Sequence, residues 1–154
     1  MGVREEGLPP NPYNPLAWIS GDPVIGDGTW IGAFTVIDGS GGLKIGKGCD
    51  VSCGAQIYTH ASTKRCVSGR AYNTVDRAPT QIGDYVFVGA NAVIQMGVTV
   101  GDRAVISAGA VVAKDVPANT LVSGIPAEAR AHVVVEDGRV TFVPLDHKTL
   151  APEE

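Results

Sequence analysis

Aliphatic residues recur along this chain every six positions: Ile19, Ile25, Ile31 and Ile37, then Ile45, Val51 and Ile57. The series resumes at Ile82, Val88, Ile94, Val100, Ile106 and Val112. Glycine often follows the aliphatic residue, as at Gly26, Gly46, Gly83 and Gly101. Four positions after the aliphatic stands a small or β-branched residue, such as Thr35, Cys49, Ala55, Ala92 or Ala104. A period of six matches neither a helix nor an alternating strand taken alone. It matches a short strand plus a turn, repeated as the flat sides of a parallel β-helix. Three hexads then make one triangular coil, with the aliphatic side chain pointing into the prism and glycine easing the corner. Coils stacked about 4.8 Å apart bury a column of Ile and Val that no single coil buries alone.

The pattern breaks twice. Ile37 to Ile45 is eight residues, one hexad plus two, and the surplus sits in the turn-like stretch DGSGGLK. Ile57 to Ile82 is 25 residues, close to four hexads, and holds a long excursion over residues 61–80. From Pro117 the pattern fades. The tail HVVVEDGRVTFVP reads as a hairpin about Asp137-Gly138, a type I′ signal, placed to cover strand edges at the open end of the helix. The expected organisation is all-β: an N-terminal extension over 1–15, a β-helix over 16–127, and a C-terminal hairpin and tail over 128–154.

Composition narrows the function. Twenty glycines and ten prolines among 154 residues rule out a coiled coil, while 44% hydrophobic residues at regular spacing argue against disorder. A net charge of −4 supplies no basic face, so nucleic acid is not the expected partner. The first residues carry no apolar run suited to a signal peptide or membrane span. Cys49, Cys53 and Cys66 form neither a CxxC pair nor an even set, which predicts a reduced, cytoplasmic protein.

The hexads, continued by IGDYVFVGANAVIQMGVTVGDRAVISAGAVVAKDVPANTLVSGIPA from Ile82 to Ala127, resemble the hexapeptide-repeat acyltransferases. The branch they are most similar to is that of the sugar and xenobiotic acetyltransferases related to the galactoside and maltose enzymes. The resemblance runs from Trp18 to Arg130. It implies a left-handed parallel β-helix, an exception to the usual crossover hand. It also implies a homotrimer, acetyl-CoA as donor without a metal, and active sites between neighbouring subunits. The acceptor expected from it is a hydroxyl or amine of a sugar or nucleotide-linked sugar.

Acetyl transfer from a thioester needs a proton acceptor, oxyanion donors and a means of holding two substrates together. Histidine suits the first task near neutral pH. His60, in QIYTHAS, is the sole histidine before Arg130 and sits where the repeat breaks; the resemblance makes it the general base. A backbone carbonyl or Asp38 would orient its other nitrogen, and Asp38 equally reads as a turn aspartate satisfying its own backbone. The resemblance further implies acetyl-CoA contacts at Ala90, Ala108, Ala113 and Lys114, with the Ala90 N–H as oxyanion donor. Arg130 is a candidate for a CoA phosphate, although Glu128 occupies the place where the family carries a basic residue. WIGAFTV lacks the asparagine with which the galactoside branch binds its sugar.

The excursion carries Lys64, Arg65, Arg70 and Arg77 against Asp76 alone, which suits an anionic ligand or a solvated loop. Asp38, Trp30, Tyr58, Arg65, Arg70 and Arg77 are the candidates for the acceptor side. Three rival readings are a non-catalytic β-helix scaffold or binding protein, an antibiotic acetyltransferase, and a zinc lyase like the β-helical carbonic anhydrases. The zinc site would need three protein ligands, and His60 is the single histidine on the helix.

Overall fold

Each hexad has room for a strand of only two to four residues before the chain turns, so no coil holds itself together and all pairing is with the coils above and below. The computed structural model describes residues 7–146. The first six residues of the expected N-terminal extension and the end of the tail, with His147, lie outside them. The chain winds as a parallel β-helix with three faces. The first face stacks Trp18–Gly21, Val36–Gly39, Gln56–Ile57, Val93–Ile94 and Val111–Val112. The second stacks Val24–Ile25, Leu43–Ile45, Thr80–Ile82 and Thr99–Val100, and a bridge from Val100 to Val116 prolongs it. The third stacks Trp30–Ile31, Asp50–Val51, Phe87–Val88, Val105–Ile106 and Thr120–Ser123.

Registers align the aliphatic positions one above another: Ile19, Ile37, Ile57, Ile94 and Val112 on the first face, and Ile31, Val51, Val88, Ile106 and Val122 on the third. These columns fill the prism and are buried, apart from the partly covered Ile19 at the first coil. Burying each such side chain contributes about 1.5–3 kcal/mol, which makes the column the main source of stability. Thr35, Cys49, Ala55, Val86, Ala92, Ala104 and Ala110 pack beside it as expected. Burial pushes the Cys49 thiol above its usual range.

The repeat goes further than its sequence pattern. Val116 and Val122 take the inward positions of the last coil, where a shortened corner at Lys114–Pro117 hides the period. The long interval also differs from the four hexads its length suggests. Thr80–Ile82 pairs directly with Leu43–Ile45, so the interval replaces one hexad and the rest loops out. That loop leaves as His60–Ala61, forms a short helix at Thr63–Val67, and returns as Asp76–Arg77, antiparallel to its own start. Both irregularities, DGSGGLK and the excursion, therefore occupy the same corner, between the first and second faces, on adjacent coils.

The tail forms the expected hairpin, Glu128–Glu136 with Arg139–Pro144. Asp137 and Gly138 have φ of 48° and 75°, as a type I′ turn requires. Glu128–Glu136 pairs antiparallel with Thr120–Ser123 and covers that strand edge.

Candidate active site

Stacking the two irregular corners places Asp38 beneath the Tyr58–His60 segment. Ile37 pairs with Ile57 in register, so the residues after each leave the prism together. Asp38 is 2% exposed. Its Oδ2 accepts hydrogen bonds from the Thr59 amide (2.8 Å), the Thr59 hydroxyl (2.9 Å) and His60 Nδ1 (2.5 Å). Oδ1 accepts from the Ser40 amide at 3.0 Å and lies 3.5 Å from the Ser20 hydroxyl. Burial alone raises the Asp38 carboxyl, but hydrogen bonds from the Ser40 side chain, the Thr59 and Ser40 amides and His60 outweigh it. The group is held well below the usual carboxylate range.

An ionised carboxylate only accepts, so the proton of this contact resides on Nδ1, and the neutral form of the ring carries its lone pair on Nε2. His60 has 40% of its side chain exposed. Its ring walls two clefts. One, of about 450 Å³, is bordered by Trp18, Ser20, Ser40, Tyr58, Val75 and Arg77. The other, of about 400 Å³, is bordered by Tyr58, Thr63, Val93, Gln95 and Met96. Tyr58 stands edge-on to the imidazole, with centroids 6.2 Å apart, and its hydroxyl donates to Gln56 Oε1. A base with a free lone pair between two clefts can take a proton from a nucleophile on one side as it attacks an acyl group on the other.

Thr59 locks this arrangement. Fully buried, it accepts from the Gly41 amide (2.8 Å) while its hydroxyl lies 2.9 Å from the Asp38 carbonyl oxygen. A Cβ at Gly41 would press into the Thr59 carbonyl oxygen, well inside van der Waals contact. Gly41→Ala is expected to cost about 1–3 kcal/mol, read as a lowered midpoint in urea. An unchanged midpoint would show that the corner yields freely.

The other sequence candidates are distributed unevenly. His60, Asp38, Tyr58 and Arg77 converge. Asp38 turns its carboxylate to the imidazole and serves it, rather than offering that group to an acceptor. Trp30 points outward on the third face, in a row with Phe87, Val105 and Leu121, away from His60. Arg65 lies on the short helix and Arg70 is exposed on the loop at φ 74°; neither borders the clefts. Lys64 pairs with Asp76 at 3.3 Å, and the Tyr72 hydroxyl donates to the same carboxylate.

Ala90 and Ala108 stack at a different corner, between the third and first faces, where the Gly109 amide donates to the Ala90 carbonyl. A two-residue strand and its flanking turns separate that corner from His60, a gap on the order of 10 Å or more at about 3.3 Å per residue. The Ala90 N–H of one chain therefore does not meet the His60 of the same chain. Lys114 and Arg130 share a third cavity of about 550 Å³ with Glu128, and Lys114 is ion-paired to Glu128 at 2.9 Å; Ala113 precedes it at the exposed corner. Trp18, Ser20, Ser40, Thr59 and Met96 were not legible as site residues. Their only signal is position, one corner shared across successive coils. Among the described residues, no three His, Cys, Asp or Glu side chains cluster as a metal would need, and no helix is long and apolar enough to cross a membrane.

Comparisons with known proteins agree with this fold. The model of a hexapeptide repeat of succinyl-transferase matches residues 79–114. The bifunctional protein GlmU of Listeria monocytogenes is 38% identical over 98 residues, covering 64% of this chain and 18% of that protein. The chain thus spans about a fifth of the length of such curated relatives. A hexapeptide-repeat-containing acetyltransferase from Vibrio cholerae, one of whose solved structures is a complex with acetyl-CoA, is structurally similar. For one structure of it the TM-score is 0.63 with 36% identity, covering 71% of this chain and 62% of that one. A maltose O-acetyltransferase from Clostridium difficile gives a TM-score of 0.61 with 29% identity, covering 70% and 57%.

Proposed function

From the premise that this chain belongs to the hexapeptide-repeat proteins, we propose that it transfers an acetyl group from acetyl-CoA to a hydroxyl or amine of a small acceptor of the sugar class. The observation that carries the reading is His60, held by the buried Asp38 through Nδ1 while its ring borders both clefts. The relatives support the donor: a solved structure of the Vibrio cholerae protein contains acetyl-CoA. The maltose enzyme supports a sugar as the acceptor class.

In this mechanism Nε2 takes the proton from the acceptor O–H or N–H as that atom attacks the thioester carbonyl. The C–O or C–N bond forms, and the tetrahedral oxyanion is met by a backbone N–H, for which Ala90 is the candidate. Collapse breaks the C–S bond, the imidazolium returns its proton to the thiolate, and CoA leaves as a thiol beside the acetyl ester or amide.

The chain acts as a homotrimer in this reading. Outward positions on the first and third faces are mainly apolar, Trp18, Val36, Val93 and Val111 beside Gln56 on one and Trp30, Phe87, Val105 and Leu121 beside Asp50 on the other. The second face turns out Val24, Lys44, Gln81 and Thr99, three of them polar. Two apolar faces and one polar face suit a ring in which each chain covers two neighbours. Such packing would let the Ala90 corner of one chain approach the His60 of the next. Lys114 and Arg130 are the cations suited to the CoA phosphates, with Glu128 as the group a phosphate displaces.

Thermal unfolding with acetyl-CoA or CoA tests the donor. A ligand at 100 times its Kd adds about 2.7 kcal/mol to the native state, so the midpoint rises clearly with both. Thiol release in the presence of a sugar panel then reads turnover. No shift with either ligand at millimolar concentration would favour a non-catalytic β-helix.

A further inference from the structure

The excursion brings four cations near the site by sequence, yet the fold commits them differently. Lys64 is tied to Asp76 and lies over the Tyr72 ring at 5.5 Å. Arg65 is half-buried on the helix, and Arg70 projects from the loop tip. Arg77 alone borders a cleft with His60, and it makes no side-chain hydrogen bond or ion pair among the described residues.

The loop's closing ladder explains why. His60 is paired with Arg77 and Ala61 with Asp76. Side chains alternate along a strand, so Asp76 turns toward Tyr72 and Lys64 while Arg77 turns the opposite way, into the cleft. Directly opposed residues of an antiparallel pair have Cα atoms about 4.5–5.5 Å apart. The pairing therefore sets the Arg77 side chain on the same side of the ladder as the imidazole, and both border one cleft. Asp38 is the sole carboxylate on the cleft wall, and its oxygens are engaged by Thr59, His60 and Ser40. It forms no ion pair with Arg77. The cleft thus presents a planar cation with fork geometry and no internal partner, the half-indole wall of Trp18 and two serines.

We propose that the acceptor is an anionic sugar, carrying a carboxylate or phosphate that Arg77 binds while the neighbouring hydroxyl or amine of the same molecule meets His60 Nε2. A guanidinium recognises either group through two parallel N–H donors. Because Arg77 and His60 border the same cleft, one sugar can offer its anion to the first and its nucleophile to the second. The inference rests on the acetyltransfer reading and adds the charge of the acceptor to it.

Binding is measured by calorimetry with four probes, glucosamine 6-phosphate and glucosamine, galacturonate and galactose, on the full chain and on Arg77→Gln and Arg77→Lys. Thiol release from acetyl-CoA is followed with the same probes. The expected result is tighter binding of at least one anionic probe than of its neutral counterpart. Arg77→Gln should weaken that probe by about 10- to 100-fold, the worth of a charge-assisted hydrogen bond, and leave neutral sugars unchanged. Arg77→Lys should recover part of the loss. Preference for the phosphate or for the uronate identifies which anion the cleft takes. Binding of neither anionic probe at millimolar concentration, or equal losses for charged and neutral probes in Arg77→Gln, overturns the proposal. If the anionic probe binds through Arg77 but no thiol is released with any probe, the anion site stands and the acetyltransfer reading fails.

Discussion

Replacing His60 with alanine is expected to lower kcat by about 10²–10⁴-fold, the usual worth of a positioned general base, while acetyl-CoA binding stays nearly unchanged. The separation of effects follows from the structure. The imidazole is 40% exposed and packs into no core, so its removal leaves the aliphatic columns intact. The cavity shared by Lys114 and Arg130 has no residue in common with either cleft at His60. Loss of the ring therefore removes a proton acceptor and little else. Turnover under saturating acetyl-CoA gives kcat, and calorimetry with CoA gives the donor affinity. Wild-type turnover in the variant would remove His60 from the mechanism. A parallel collapse of CoA affinity would make it a binding residue.

The β-helix was legible because each hexad repeats the same physical demand, one aliphatic residue inward and one small residue beside it. Thirteen repetitions of that demand leave little freedom. Val116 and Val122 escaped because spacing marks a repeat only while the corners keep one length, and the corner after Val112 is short. His60 was legible for the opposite reason: it stands where the period fails. What it contacts was not. Asp38 and His60 are 22 residues apart, and their meeting depends on how many residues each corner inserts before the faces realign. The two residues added in DGSGGLK decide that, because with them Ile37 and Ile57 pair in register. The excursion comes after His60, and there length alone suggested four hexads where the structure has one. Trp30 borders neither cleft at His60 within one chain, and residue type could not foretell this. Its aromatic character suits a cleft or an interface equally, and only the face it occupies separates the two.

Asp38→Asn is expected to reduce turnover by about 10²-fold or more while the β-helix still assembles. The carboxylate offers two acceptor oxygens to a shell made of donors: the Thr59 amide and hydroxyl and His60 Nδ1 on Oδ2, the Ser40 amide on Oδ1. An asparagine has one acceptor and one NH₂ group. If its oxygen faces Thr59, the NH₂ meets the Ser40 amide; if it is flipped, the NH₂ meets Thr59 and favours an imidazole protonated on Nε2. Either way one buried donor loses its partner, at about 1–3 kcal/mol, and the flipped form also blocks the base. A purely structural Asp38 would lower stability without changing the imidazole, so ¹⁵N spectra of His60 provide the separating readout. Wild type should show an unprotonated Nε2, and the variant a shift toward the other tautomer. The stability difference carries its own pH signature. The folded carboxyl titrates below its unfolded value of about 3.9, so its contribution is fully present above that value and is lost as pH falls through the folded pKa. The gap between wild type and Asp38→Asn should therefore shrink as pH falls below about 4. A gap that persists unchanged into strong acid, together with an unaltered His60 tautomer, would mean that Asp38 acts through packing and not as the anion that orients the base.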